Sequence, residues 1–309
     1  MGVHAITFEA MASRCEVRLA APDRAASALL AQAAIDEVRR IERKFSRYRP
    51  DSIVARINAA AGQDAVECDD ETLALLDYAG TLHRASGGMF DISSGVLRRA
   101  WDFRRAIVPS PQALHELLGL VGWQQVERAP GHIRLPRAGM EIDFGGFGKE
   151  YAADRAAAIL AGLGVQHGYV NLGGDMRFVG PRPGGLPWLI GVQDPRHPDR
   201  LAASIPVSRG ALATSGDYER FFEVGSRRYC HILDPRSGMP VSHWRSVSVL
   251  GPLAVAAGSC STIAMLLQQD GLAFLEQSGM SYLAIDRHGH HFRKDVQGDG
   301  CLRESTEDV

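Results

Sequence analysis

Over residues 24–45, apolar Ala28, Leu29, Leu30, Ala33, Ile35, Val38 and Ile41 recur every three or four positions among charges, which predicts a helix. Ahead of it, residues 4–20 read as a first pair of strands. FSRYRPDSIVARIN breaks at Pro50 and resumes as a short helix. The spacing predicts another helix over 71–86, stopped at Gly87-Gly88, where glycine suits a left-handed C-cap. PQALHELLGLVG gives a helix at 111–120, and VERAPGHIRLP a hairpin turning at Pro130-Gly131. A helix over 149–163 follows. Strands are expected near 168–172, 187–193, 203–213, 227–233 and 246–251, helices near 255–268 and 271–278, and a closing hairpin at 281–293. The mixture has no strict strand–helix–strand rhythm, so the expected fold class is α+β, with helices packed on a largely antiparallel sheet.

Length and composition narrow this little. A chain of 309 residues holds one large domain or two interleaved lobes, and no repeat or linker divides it. A single domain over 1–309 is expected. Apolar content of 45% and charged content of 23% are ordinary for a globular chain. A net charge of −2, with no lysine or arginine run, argues against nucleic acid as partner. The start, MGVHAITFEAMASRCEV, lacks the basic and apolar regions of a signal peptide; Cys15 follows Arg14 rather than an apolar run, and Ile6 does not fit a myristoylation signal. Residues 253–267 are too short and too rich in small polar residues to span a bilayer. Five cysteines at 15, 68, 230, 260 and 301 form no paired motif, and the chain reads as cytoplasmic with free thiols.

Chemistry concentrates in a few stretches. FGGFGKEYAADRAAAIL, residues 144–160, places glycines and Lys149 ahead of a helix. A Walker loop fails on Asp143 and Glu150, and a dinucleotide fingerprint fails on Tyr151. The loop is then either an anion site at a helix start or a tight turn with Lys149 in solvent. ALATSGDYERFF and RRYCHILDPRSGMPV gather Thr214, Ser215, Asp217, Tyr218, Arg220, His231, Asp234, Arg236 and Ser237. His231 is expected mid-strand, and Cys230 as a core residue. GGMFDISSGVL and GYVNLGGDMRFVG each set an aspartate beside glycines, which taken singly are tight turns.

Taken together and in order, FSRYRPDSIVARIN, GGMFDISSGVL, EIDFGGFGKEYAADRAAAIL, NLGGD, ATSGDYER, HILDPRSGMPV and the alanine-rich segment at 254–267 resemble the ApbE-type flavin transferases, the FAD:protein FMN transferases, from about residue 5 to 295. The resemblance implies an α+β enzyme of two lobes that binds FAD between them. With magnesium, it would move FMN from FAD onto a threonine or serine hydroxyl of a target flavoprotein and release AMP. Two other outcomes stay open: an FAD-binding protein without efficient transfer, and a pyrophosphatase giving FMN and AMP.

Matched motif by motif, Met11, Tyr48, Met89, Phe90, Asp91, Asp143, Lys149 and Ile232 would contact FAD, and His231 would be the catalytic base. Metal would be held by the Gly146 carbonyl with side chains of the late helix, here Ser261 and Thr262. The family's aspartate four residues before that threonine is replaced by Gly258, and Glu150 stands where the family has a glycine. Magnesium prefers oxygen ligands with carboxylate charge. So the metal is held without a carboxylate, or Glu150 compensates, or transfer is lost. On this reading Gly258→Asp would tighten magnesium.

Overall fold

Strands β1 (Gly2–Ala10) and β2 (Ser13–Ala21) pair antiparallel and reverse through Met11 and Ala12, both at positive φ. They open a computed structural model that describes residues 1–295 and the two-residue strand Arg303–Glu304. Cys301 lies outside the described residues. Helix α1 (Arg24–Phe45) is capped by Asp23, whose carboxylate accepts from Ala26 N at 2.8 Å. It buries Ala31, Ala34, Ile35, Val38, Ile41 and Phe45, the stripe that its sequence period requires.

Next come α2 (Ile53–Ala59), β3 (Val66–Glu67), α3 (Asp70–Ala85), a 3₁₀ stretch over Ile92–Arg99 and α4 (Pro111–Leu118). The hairpin of β4 (Glu127–Ala129) and β5 (His132–Arg134) pairs with β3. Then α5 (Gly148–Gly162) leads to β6 (Gly168–Leu172), β7 (Asp175–Gly180), β8 (Trp188–Gln193), β9 (Leu201–Val207) and β10 (Gly210–Gly216). A ribbon of β11 (Phe221–Val224) and β12 (Arg227–Cys230) precedes β13 (Trp244–Gly251). Helices α6 (Ala254–Leu267) and α7 (Gly271–Ser278) and strands β14 (Ser281–Asp286) and β15 (His291–Lys294) complete the order.

Eight strands form one antiparallel sheet, ordered β1-β2-β6-β7-β10-β13-β14-β15. Alternate residues face opposite sides of a strand. Val170 and Leu172 of β6, Ala211 and Ala213 of β10 and Val247 and Val249 of β13 join α1, α5 and α6 in the main core. Tyr169, Leu212 and Leu250 turn the other way and pack under the β8–β9 hairpin with Trp188, Ile205 and Val207. A third cluster joins Trp101, Leu114, Phe222 and Tyr229. The α+β expectation holds, with largely antiparallel pairing.

Three details differ from the sequence reading. The strand expected over 203–213 is two strands, because Gly210 at φ +83° turns the chain from the β8–β9 hairpin into the main sheet. A Cβ there would lie 2.7 Å from the Gly251 carbonyl oxygen, so the turn admits only glycine. The strand expected over 227–233 ends at Cys230, leaving His231 beyond it rather than mid-strand. From there the Asp234 turn takes over, its carboxylate accepting from Arg236 N at 2.8 Å. Strand β7 went unread because NLGGD reads locally as a turn; Gly173 and Gly174 make that turn at positive φ, and Asp175 begins the strand. Cys230 is a buried core thiol, and Cys15, Cys68 and Cys260 are likewise buried and free.

Candidate active site

The turns at Met11-Ala12 and Gly173-Gly174 and the end of β10 lie at one end of the sheet, and the motif loops gather around them. Each junction is a specific contact. The Met11 amide donates to Glu42 Oε1 of α1 at 2.6 Å, which fixes the strained turn. Arg47 pairs with Asp143 and donates to the Tyr48 hydroxyl at 2.7 Å, with its guanidinium 4.9 Å from that ring's centre. FSRYRP is thereby tied to the loop ahead of α5. Tyr48 itself is 74% exposed, an aromatic face held out into solvent.

Gly146 lies against Phe90: a Cβ on it would fall 2.9 Å from that ring, so the glycine loop packs under GGMFD. Met89 and Phe90 are buried. Both Asp91 carboxylate oxygens are engaged within the protein, one accepting from Ser93 N at 2.7 Å and the other from Trp123 N at 3.1 Å. Asp91 therefore shapes its loop. Arg236 of the HILDPRSG turn donates to the Gly87 carbonyl at 2.8 Å, joining those two motifs. Ile232 packs partly buried against the main core.

Lys149, in the first turn of α5, is not a solvated side chain. It forms an ion pair with Asp175, which is 3% exposed, and its Nζ lies near Gly173. Burial acts to lower the Lys149 ammonium, but Asp175 and Glu150 outweigh it and hold the ammonium above its ordinary value. His231 is exposed to solvent, and its amide donates to the Arg220 carbonyl at 3.0 Å. Its imidazole is pushed down to about 4, by crowding protein first and then by the charges of Arg220 and Lys149. It is neutral at pH 7 and shares an electrostatic neighbourhood with Lys149.

The late helix completes the cluster. Ser215 on β10 bridges Ser261 at 2.8 Å and Thr262 at 2.9 Å, and the Ser261 hydroxyl donates to the Gly258 carbonyl at 2.9 Å. Helix α6 has no cap of its own. Instead Asp154 of α5 accepts from Ala254 N and Val255 N, both at 2.9 Å. One turn earlier on the same face, Glu150 points at Gly258. Burial first, then Asp175, push the Glu150 carboxyl up from its ordinary value, with Lys149 opposing. A Cβ on Gly258 would lie 2.6 Å from Glu150 Cγ and Oε1. An aspartate there would have to displace the Glu150 side chain, so Gly258→Asp alone would not simply add a ligand to the site.

Among the described residues, no three His, Cys, Asp or Glu side chains converge as a metal cage, so any cation here depends on hydroxyls and carbonyls as well. No described helix is long and apolar enough to cross a membrane. The sequence reading did not assign Arg47 or Asp175 to the site, and it named Ser215 only among groups that could bind a polar ligand. Their motifs were visible, but nothing in them names the partner across the fold.

The chain matches the ApbE family over residues 11–284. It is 33% identical over 276 residues to the FAD:protein FMN transferase of Treponema pallidum, covering 82% of this chain and 75% of that protein. Among solved structures, the ApbE protein from Thermotoga maritima superposes with a TM-score of 0.87 at 30% identity, covering 95% of this chain and 97% of that one. The apo flavinyl transferase ApbE of Pseudomonas stutzeri gives 0.81 at 29% identity, covering 96% and 95%. These matches span the sheet, the helices and the loops at their common end, and the chain belongs to the ApbE family.

Proposed function

We propose that this chain is an FAD:protein FMN transferase that attaches FMN to a threonine or serine hydroxyl of a target flavoprotein and releases AMP. One observation carries the reading. Seven motifs scattered from residue 45 to 267 meet around a half-buried Lys149 paired with buried Asp175, a neutral His231 and a row of hydroxyls. A purely structural set of turns has no need of a half-buried cation, held by a buried aspartate, in the electrostatic neighbourhood of an imidazole. The curated relative from Treponema pallidum carries the same activity in its name.

In the step proposed, the acceptor hydroxyl oxygen forms a bond to the phosphorus of the FMN half. The bond from that phosphorus to the bridging oxygen breaks, and AMP leaves with the bridging oxygen. His231, neutral, takes the hydroxyl proton on an imidazole nitrogen. Lys149 offers positive charge where the phosphoryl oxygens gain negative charge, and Asp175 holds it in place. Met11 and Tyr48 present an apolar side chain and an aromatic face suited to a flat ring system. Asp143, anchored by Arg47, and buried Met89 and Phe90 shape the loops on either side.

A hard divalent cation such as magnesium fits the residues present, since the Gly146 carbonyl and the Ser261 and Thr262 hydroxyls are all oxygen donors and a buried Glu150 oxygen near Gly258 lacks a partner. When bound, magnesium would supply charge neutralisation at the non-bridging phosphate oxygens. The test is incubation with FAD, magnesium and a peptide bearing an acceptor threonine, followed by mass spectrometry. A peptide gaining the mass of FMN with equimolar AMP is the expected result. AMP without peptide adduct would point to hydrolysis instead, and unchanged FAD would leave only a flavin-binding role.

A further inference from the structure

Gly258 and Glu150 form one unit. A side chain on Gly258 would have to displace Glu150: a Cβ would sit 2.6 Å from Glu150 Cγ and Oε1 and 2.9 Å from Cδ, inside non-bonded contact. The register that creates this is fixed elsewhere. Asp154 on α5 caps α6 at residues 254 and 255. A step of four residues back along α5 brings Glu150, and a step of four forward along α6 brings Gly258. One further turn along α6 reaches Thr262, whose hydroxyl is bridged by Ser215.

The carboxylate held there has no evident partner. Glu150 is 7% exposed, and its Oε2 makes no hydrogen bond within the protein. The adjacent cation, Lys149, is paired with Asp175 instead. A buried acceptor left unsatisfied costs free energy unless something binds it.

We propose that Glu150 is the carboxylate ligand of the divalent cation in this chain, reaching from α5 across the bare backbone of Gly258 toward the Thr262 hydroxyl. The carboxylate that α6 lacks is supplied by the facing helix, and Gly258 is the clearance that admits it. The inference rests on the reading that this pocket takes a divalent cation during flavin transfer. It differs from that reading in naming a ligand from another helix.

The experiment is a substitution cycle read by metal binding. Mn²⁺ affinity is measured from the free-ion paramagnetic resonance signal, and Mg²⁺ affinity by calorimetry, each with and without ADP as a non-transferable part of FAD. Glu150→Gln keeps the shape and removes the charge, and should weaken Mn²⁺ by roughly tenfold or more. Gly258→Asp alone should not tighten binding, since two carboxylates would compete for one space. The pair E150G/G258D should return the affinity to within roughly threefold of the unaltered chain, a coupling that only neighbours sharing a role produce. Unchanged Mn²⁺ affinity in Glu150→Gln, or tighter binding in Gly258→Asp alone, would overturn the proposal. Should Glu150→Gln fail to fold by thermal melting, the paired variant decides: recovered affinity supports the proposal and lost affinity overturns it. Flavinylation of the peptide alongside metal-insensitive Glu150→Gln would remove this inference and leave the proposed function intact. Metal loss without any flavinylation would do the reverse.

Discussion

At the smallest scale, the proposed chemistry draws on a neutral imidazole and a half-buried ammonium. Lys149 is kept charged by Asp175, so it offers a positioned cation rather than a proton donor. His231 is kept neutral by the protein packed around it and by Arg220, which suits a base and not an acid. As its imidazole is pushed down to about 4, the base form persists well below the ordinary histidine range. If transfer uses His231, the acidic limb of kcat/KM for FAD, which reports the free enzyme, should fall below pH 6.5. An acidic limb at or above that value would assign the base elsewhere. His231→Gln should reduce transfer by roughly 10²–10⁴-fold while leaving FAD binding, read by flavin fluorescence, nearly unchanged.

Between elements, the junction of α5 and α6 is the one on which the site depends. Alanines 152, 153, 156 and 157 bury the inner face of α5 and let its neighbours approach closely. Asp154 then ends α6 by accepting from two of its first amides, while Arg177 sits 3.2 Å from the same carboxylate. Replacing Asp154 with alanine leaves those amides bare, and should cost about 1–2 kcal/mol of stability in urea unfolding. Because α6 also carries Thr262 and Ser261, the same change should weaken Mn²⁺ binding although Asp154 touches no ligand. Asp154→Asn, which keeps one acceptor oxygen, should lose less on both measures. Equal stability in all three chains would show that α6 is positioned by its apolar packing alone.

At the scale of the whole molecule, the sheet and its helices are stapled by charged groups that respond to acid. Arg40 and Lys44 of α1 grip Glu71 of α3 at 2.7 and 2.6 Å, and Tyr151 of α5 donates to it as well. Arg40 above all, helped by Lys44 and Tyr151 against the opposing effect of burial, lowers the Glu71 carboxyl from 4.5 to about 2. A carboxyl lowered on folding adds stability that is complete above its unfolded value and lost as pH falls through the folded one. The Glu71 contribution should therefore be full above about pH 5 and fade between 4.5 and 2. Melting temperatures of the unaltered chain and Glu71→Gln should differ at pH 7 and converge near pH 2; parallel curves would show that the cluster is too well solvated to matter.

Much of this was legible beforehand, and what was not has a common cause. Period and punctuation placed α1, α3, α5, α6 and the closing hairpin to within a residue or two, because each carries a stripe and a stop in its own sequence. The motifs marked their loops for the same reason. What stayed hidden depends on residues far apart in the chain. Whether Lys149 meets water or Asp175 is decided by a strand 26 positions away. The direction of Glu150 is set by how α5 lies on α6, and the break at Gly210 by the carbonyl of Gly251. The Asp91 bond to Ser93 N belongs to the tight turn its motif suggests, whereas its bond to Trp123 N, 32 positions away, could not be read locally.

The close fit of Glu150 over Gly258 also constrains inheritance. This chain has a carboxylate on α5 and bare backbone on α6; the family pattern that its motifs resemble implies the reverse. A lineage changing one codon at a time must pass through an ancestor with two side chains in one space, or one with none there. If Glu150 holds the cation, neither intermediate would be neutral, and the two versions would be separated by a barrier that single changes rarely cross. Descendants of this chain should keep both positions or exchange both together, which makes the pair a heritable mark of its branch.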